Sequence, residues 1–273
     1  MDKEIRLILP EYDGLRREVE RLRTELAQTF QELAHLTLFE CPNIEMLYML
    51  QLGTLEYRVL EAKWAYLRLR RKLDLMQAKR NRREPIDEAE IEAAIEKEYV
   101  EYQKMIDDLL FKMSDAVERS KREPLKEEDA AELKKLYRDI VKALHPDLNP
   151  NATEAQQKLL QQAMEAYENG DLDTLRILAE MATEPDLPEI TEPDARQKLV
   201  MEHDRLNQLL DSVREQIEII KHSYPYTLKE LLDDPTAVAE KKEELTYLLE
   251  QYADSSAKLK RKIAELLGGE NSV

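Results

Sequence analysis

Apolar residues recur at every third or fourth position through most of this chain, and this spacing constrains the fold more than any other feature of the sequence. Side chains with that period line up on one face of an α-helix. In the first stretch, about residues 12–36, the line consists of Leu15, Val19, Leu22, Leu26, Leu33 and Leu36. Similar lines follow in residues 48–76, 91–117, 199–220 and 245–266. The pattern predicts long helices that pack along narrow apolar seams, as in coiled coils.

Glycine is scarce, with 5 residues in 273, whereas average proteins contain about 7%. Sheets use glycine at tight turns and bulges, so this scarcity argues against a β-rich chain. The aromatic share of 6% suits thin helical packing better than one large globular core. We therefore predict an all-α fold in which long helical hairpins or coiled coils flank a smaller helical module.

The N-terminal part of the chain predicts a helical bundle over residues 1–121. Prolines are expected to divide it into antiparallel helices, because proline removes a backbone donor and clashes with the preceding turn. These prolines are Pro10, Pro42 and Pro85. Asn43 and Asp87 are the predicted N-caps of the second and third helices. The third helix is expected to run unbroken to about Lys121.

The C-terminal part, residues 195–273, predicts an antiparallel coiled-coil hairpin. It would contain a short helix near residues 228–232 and a stop at Gly268 and Gly269. A Pro-rich linker is predicted at residues 184–194. Residues 122–183 remain as a separate central module.

The charge distribution argues against nucleic acid as a main partner. The formal net charge is -17, yet residues 1–84 carry 16 Lys/Arg and 14 Asp/Glu, so the acidic excess lies in residues 85–273 and repels phosphate backbones. The single cysteine, Cys41, fits a reducing compartment. No apolar run approaches the roughly 20 residues that span a bilayer, and the N-terminus lacks a signal-peptide pattern. We expect a cytoplasmic protein without membrane contact.

The central module contains the one specific motif of the sequence. Its first predicted helix, Glu132 to Leu144, is apolar on one face and carries lysines and an arginine elsewhere. His145, Pro146 and Asp147 follow at once, and a second amphipathic helix is predicted from about Glu154 to Glu168. A turn at residues 169–170 and a cap at residue 171 then predict a further helix, to about residue 181.

The order of a basic helix, His-Pro-Asp and a helix ending in Glu-Ala-Tyr-Glu resembles the J-domain of the DnaJ co-chaperone family. The resemblance covers about a fifth of the chain. The matching residues are Leu133, Lys134, Lys135, Tyr137, Arg138, Ile140, His145, Pro146, Asp147, Asn149 and Pro150 and, with one extra loop residue, Leu160, Ala163, Ala166 and Tyr167.

The resemblance implies that the loop docks on a DnaK-type chaperone ATPase and stimulates ATP hydrolysis there. The catalysis belongs to that partner, so we expect neither enzyme activity nor a cofactor nor a metal in this chain. His145, Pro146 and Asp147 would form the stimulating tip, with Asn149 as its supporting polar neighbour. The docking face would consist of Lys134, Lys135, Tyr137, Arg138 and Lys142. The helical arms would bind a client or partner protein, or a second copy of the chain.

Several positions depart from the family pattern. Asp139 stands where the family usually has a base, and Leu148 replaces the basic residue that normally follows the triplet. Residues 125–182 carry 7 Lys/Arg against 12 Asp/Glu, so electrostatic steering should be weaker than in a typical member. The usual first helix of the family is absent, and we expect residues 106–119 to replace it.

Other interpretations remain open at this level. The main alternative is a coiled-coil scaffold whose J-like segment no longer stimulates an ATPase. An enzyme with its own active site is the third interpretation, although the sequence shows no Gly-rich phosphate loop, no nucleophile motif and no metal set, since the other histidines have no ligand spacing to His145. The basic run from Arg68 to Arg83 fits a solvated helix C-terminus, a surface for nucleic acid or anionic membrane, or a partner for an acidic region of the same chain. His203 is expected to set register or to lie at a core edge.

Overall fold

The computed structural model describes residues 2–122, 125–182 and 195–268. All regular structure in these ranges is helical and no strand occurs within them, which confirms the all-α prediction. The α-helices are α1 (Asp2–His35), α2 (Cys41–Tyr48), α3 (Thr54–Asn81), α4 (Glu88–Glu98), α5 (Val100–Ser120), α6 (Glu127–Leu144), α7 (Glu154–Asn169), α8 (Leu172–Met181), α9 (Ala195–Lys221), α10 (Lys229–Asp233) and α11 (Pro235–Gly268). The predicted linker at residues 184–194 and Gly269 lie outside the described residues.

The predicted breaks at Pro10 and Pro42 are wrong. Pro10 lies inside α1, and helical structure continues through Pro42 to the end of α3. Immediately before Pro42 the chain is π-helical over Leu36–Glu40, and the Cys41 N–H donates to the Leu36 carbonyl five residues earlier. Such a widened turn shifts the hydrogen-bond register, which lets a residue without an N–H follow. Asn43 consequently lies within α2 and is not an N-cap.

The third predicted helix is two helices. Tyr99, with φ -108° and ψ 14°, ends α4 and precedes α5. The predicted cap at Asp87 is confirmed, because its carboxylate accepts from the N–H groups of Ala89 (2.9 Å) and Glu90 (3.2 Å). The short helix predicted near residue 228 is α10, preceded by a 3-10 turn at Tyr226–Leu228.

The helices pack into two units, residues 1–42 with 123–227 (unit 1) and residues 43–122 with 228–273 (unit 2). In unit 1, α1 packs along α9, and in unit 2, α3 packs along α11. The first predicted N-terminal helix thus packs with one tail helix and the second with the other, whereas the predicted neighbours in the second and third N-terminal segments do meet, since α3 also contacts α4 and α5. Three-and-four spacing defines the buried face of a helix but not the helix that covers it. Each unit consequently joins chain segments from both sides of the predicted limit at residue 121.

The core of unit 1 lies between α1, α9 and the short helices α6, α7 and α8. Completely buried side chains from all of these helices meet there, among them Val19, Leu26, Ile140, Tyr167, Leu175, Leu199 and Leu206. The central module thus buries its apolar faces against the first and ninth helices as well as within itself.

In unit 2, acidic side chains at the start of α4 and along it pair with the basic run of α3. Arg68 donates to Glu92 (2.6 Å), Arg71 to Glu98 (2.7 Å) and Lys72 to Glu88 (2.7 Å), and Lys79 contacts Glu90. These four residues of the basic run thus bind an acidic region of the same chain, as one of the interpretations expected, whereas Arg80, Arg82 and Arg83 at the end of the run are exposed.

Candidate functional site

The His-Pro-Asp motif follows directly after helix α6. The three acidic residues at the N-terminus of α6, Glu127, Glu128 and Asp129, complement the positive end of the helix dipole. Its apolar face is buried through Leu133, Tyr137, Ile140, Val141 and Leu144. The helix ends at Leu144, and the next residue, His145, has extended geometry (φ -64°, ψ 128°), as the residue before a proline prefers. Pro146 therefore fixes where the helix stops.

Helix α7 returns along α6 and closes the helix pair. It begins with a capping box, in which Thr153 and Gln156 satisfy each other's backbone N–H groups. It ends at Asn169, at the predicted turn, where Gly170 has the left-handed conformation (φ 69°). Asp171 caps α8, as predicted, by accepting from the Thr174 N–H (3.0 Å). Between the helices, the rings of Tyr137 and Tyr167 stack at 4.2 Å. The caps and this ring stack fix the distance between α6 and α7, the two helices that the loop joins.

The loop between the helices is a compact turn. The N–H groups of Leu148 and Asn149 both donate to the His145 carbonyl, at 2.9 and 2.7 Å. The Asp147 N–H donates to Nδ1 of the His145 ring at 3.2 Å. Leu148 is completely buried and Asn149 nearly so, whereas Pro146 and Asp147 are exposed. The turn consequently presents Pro146 and Asp147 to solvent and anchors itself through the two residues that follow.

The apolar residue Leu148, directly after the His-Pro-Asp triplet, has a structural reason in this chain. Its side chain belongs to the core shared by the helices of unit 1. A lysine or arginine there would have to bury its charge. The apolar residue at position 148 therefore goes together with the packing of other helices around the loop.

His145 is largely covered by α1. Its ring stacks on Phe30, with centroids 3.9 Å apart, and its side chain is 21% exposed. Burial lowers the pKa of His145, and the Asp147 carboxylate, 3.9 Å away, opposes this shift. The imidazole is therefore expected to be neutral at pH 7.

Two arginines from the flanking helices reach the loop backbone. Arg205 of α9 donates to the Asp147 carbonyl at 2.7 Å, and Arg23 of α1 donates to the Leu148 carbonyl at 3.3 Å. Both arginines also contact Glu202 of α9. No local sequence pattern links these arginines or Phe30 to a loop more than fifty positions away, so their contacts with it could not be predicted from the sequence.

The residues of the predicted docking face differ in accessibility. Lys135 is exposed, and Lys134 and Arg138 are half-buried. Lys142 lies 3.8 Å from Glu20 of α1. Tyr137 is buried, with 3% of its surface exposed, so in this structure its ring packs in the core and is not part of the surface. The accessible basic group is accordingly smaller than the predicted one.

The helix that packs against the J-like pair is not the predicted one. Residues 106–119 belong to α5 in unit 2, whereas α1 packs on α6 within unit 1. His35, at the end of α1, has a pKa lowered by burial and by the nearby Lys134. The N-terminal helix thus covers α6 in place of the helix predicted at residues 106–119.

His203, in the seam of α9, lies at the edge of the core. Its side chain is 29% exposed, and Nδ1 is 3.2 Å from the Asp204 carboxylate. Its other neighbour is Asn207, one turn later on the same helix. In the part of the chain that the structure describes, no group of three or more His, Cys, Asp or Glu residues is arranged to hold a metal ion.

Comparison with protein-family models, with curated proteins and with solved structures found no match for this chain. Among the described helices, none is both long enough and apolar enough to span a membrane.

Proposed function

We propose that this chain is a J-domain co-chaperone that docks on a DnaK-type chaperone ATPase and stimulates its hydrolysis of ATP. The observation that carries the proposal is the compact turn at His145, Pro146 and Asp147, which joins two packed helices and exposes the last two side chains. A rigid, exposed turn loses little conformational entropy on docking. We place this interaction in the cytoplasm.

The chemistry belongs to the partner in this proposal. Lys135 and the partly exposed Arg138, on the helix that leads into the turn, attract an acidic surface of the ATPase and orient the encounter. The Asp147 carboxylate, 53% exposed, is then available to accept hydrogen bonds from the partner. The remaining helices provide surfaces for a client or partner protein.

The contacts of α1 also favour a second candidate function. Phe30 covers the His145 ring and Glu20 lies against Lys142, so two groups of the predicted docking site already have intramolecular neighbours. A scaffold protein that keeps the J-like helix pair only as a packing element would show the same contacts.

A steady-state ATPase assay with a purified DnaK-type protein separates the two candidates. The co-chaperone proposal expects stimulation by the full chain and its loss with His145→Gln. His222→Gln, which changes an exposed histidine of the same chain, is the matched control and should stimulate normally. No stimulation by the unmodified chain would refute the proposal in favour of the scaffold.

A further inference from the structure

We propose that Arg205, Glu202 and Arg23 are positioning residues that hold the His145–Asn149 turn in its docking shape from outside the J-like helix pair. The inference rests on the proposed function, because it assigns these residues to a loop that docks on a partner. It adds that α1 and α9 complete the docking element.

The three side chains bridge two successive carbonyls of the turn. Arg205 donates to the Asp147 carbonyl (2.7 Å) and, through Nε and a terminal nitrogen, to both oxygens of Glu202 (2.8 and 2.9 Å). Glu202 lies 3.7 Å from Arg23, which donates to the Leu148 carbonyl (3.3 Å). The contacts therefore run from one peptide unit through α9 and α1 to the next peptide unit.

Partial burial of the side chains strengthens these contacts. The Arg23 side chain is 9% exposed and that of Glu202 is 20% exposed, so water screens the pair only partly. Arg205 makes a bidentate pair with Glu202, which fixes the direction of the remaining N–H groups of the guanidinium. A charged donor to a carbonyl contributes more than a neutral one.

The bridge acts on the backbone and leaves the recognition side chains exposed. Both arginines bind carbonyl oxygens of the turn, while Pro146 and the Asp147 carboxylate remain exposed. The turn also has its own bonds to the His145 carbonyl. The bridge consequently limits how far the Asp147–Leu148 peptide can rotate, and with it the direction of the Asp147 side chain.

Hydrogen exchange of the full chain, resolved at the amides of Leu148 and Asn149, tests this proposal. Arg205→Met keeps the aliphatic length of the side chain but removes every donor. Losing a charged hydrogen bond should accelerate exchange at these amides by about tenfold. Arg205→Lys, which retains one donor to the carbonyl but not the fork to Glu202, should give an intermediate rate.

Arg214→Met is the matched control. It removes an arginine from the same helix and breaks one contact with α1, the ion pair to Glu25 (2.6 Å). If the turn amides exchange no faster in Arg205→Met than in this control, or if exchange rises equally throughout unit 1, the positioning role is refuted.

ATPase stimulation by the same variants separates this inference from the proposed function. Faster exchange with weaker stimulation in Arg205→Met supports both. Faster exchange with unchanged stimulation overturns the claim that the bridge serves docking. If the unmodified chain does not stimulate at all, the proposed function fails, while the exchange rates still decide whether the bridge holds the turn.

Discussion

At the scale of single residues, long-range contacts modify a site that is otherwise encoded locally. Pro146 stops the helix, and the turn that follows exposes Pro146 and Asp147; both features follow from neighbouring sequence. The covering of His145 by Phe30 depends on a residue in another helix. The sequence therefore allowed the turn to be predicted, but not the environment of its histidine.

The lowered pKa of His145 predicts a pH dependence of stability. As the pH falls through about 6.5, the unfolded histidine binds a proton that the folded one, with its lower pKa, does not yet bind. Folding is therefore favoured less strongly as the pH falls below that value. Urea unfolding at pH 7.5, 6.5 and 5.5 should show a decreasing free energy of unfolding, with a slope for one proton of at most about 1.4 kcal/mol per pH unit.

His145→Gln provides the comparison for this titration. The variant should lose part of the slope and retain the part due to His35, whose pKa is lowered in the same direction. An unchanged slope in the variant would show that His145 is not held neutral by its surroundings.

At the scale of helices, the ends next to the His-Pro-Asp turn were predicted well. The helix before the motif was expected to end at Leu144 and does so, and α7 begins at the predicted Glu154 and ends within one residue of the predicted Glu168. The unpredicted features are those that depend on packing or on register shifts, such as the π-helical turn before Pro42 and the break at Tyr99.

Gly170 offers a test of one such end. Its φ of 69° is costly for a residue with a side chain, and an added Cβ would lie 3.0 Å from Cδ1 of Leu125. Gly170→Ala should lower the free energy of unfolding by about 1–2 kcal/mol. Thermal or urea unfolding monitored by circular dichroism measures this change.

Gly14→Ala is the control at a glycine inside a helix, α1. An added Cβ there meets nothing within 4 Å, and alanine favours a helix interior by up to about 1 kcal/mol. The control should therefore be neutral or stabilising. A Gly170→Ala variant as stable as the unmodified chain would contradict the role assigned to the left-handed cap.

At the scale of the whole molecule, the pairing of the long helices could not be predicted. Leucine seams with the same spacing can pack against one another, so the sequence allows Leu26 to face any of several helices. In the structure, Leu26 lies in the core of unit 1, to which α9 also contributes. The predicted division at residues 121 and 195 followed chain order, whereas α1 packs with α9 and α3 with α11.

This packing predicts that residues 122–183 alone do not form a stable domain. Without α1 and α9, the fragment loses the cover over a core that includes Leu144, Leu148 and Tyr167, and its remaining core is small. The fragment should show weak helical circular dichroism and no cooperative urea transition, unlike the full chain. Cooperative unfolding of the isolated fragment would show that the module is self-sufficient.

The most direct test of the central claim is single-turnover ATP hydrolysis by a DnaK-type protein with and without this chain. The informative variant is Asp147→Asn, because the Asp147 side chain is exposed. Arg205 donates to the backbone carbonyl of this residue, which the substitution leaves in place. Asp211→Asn, at an exposed aspartate of α9, is its control. We expect faster hydrolysis with the unmodified chain and with Asp211→Asn, and no acceleration with Asp147→Asn. Equal acceleration by all three proteins, or by none, would contradict it.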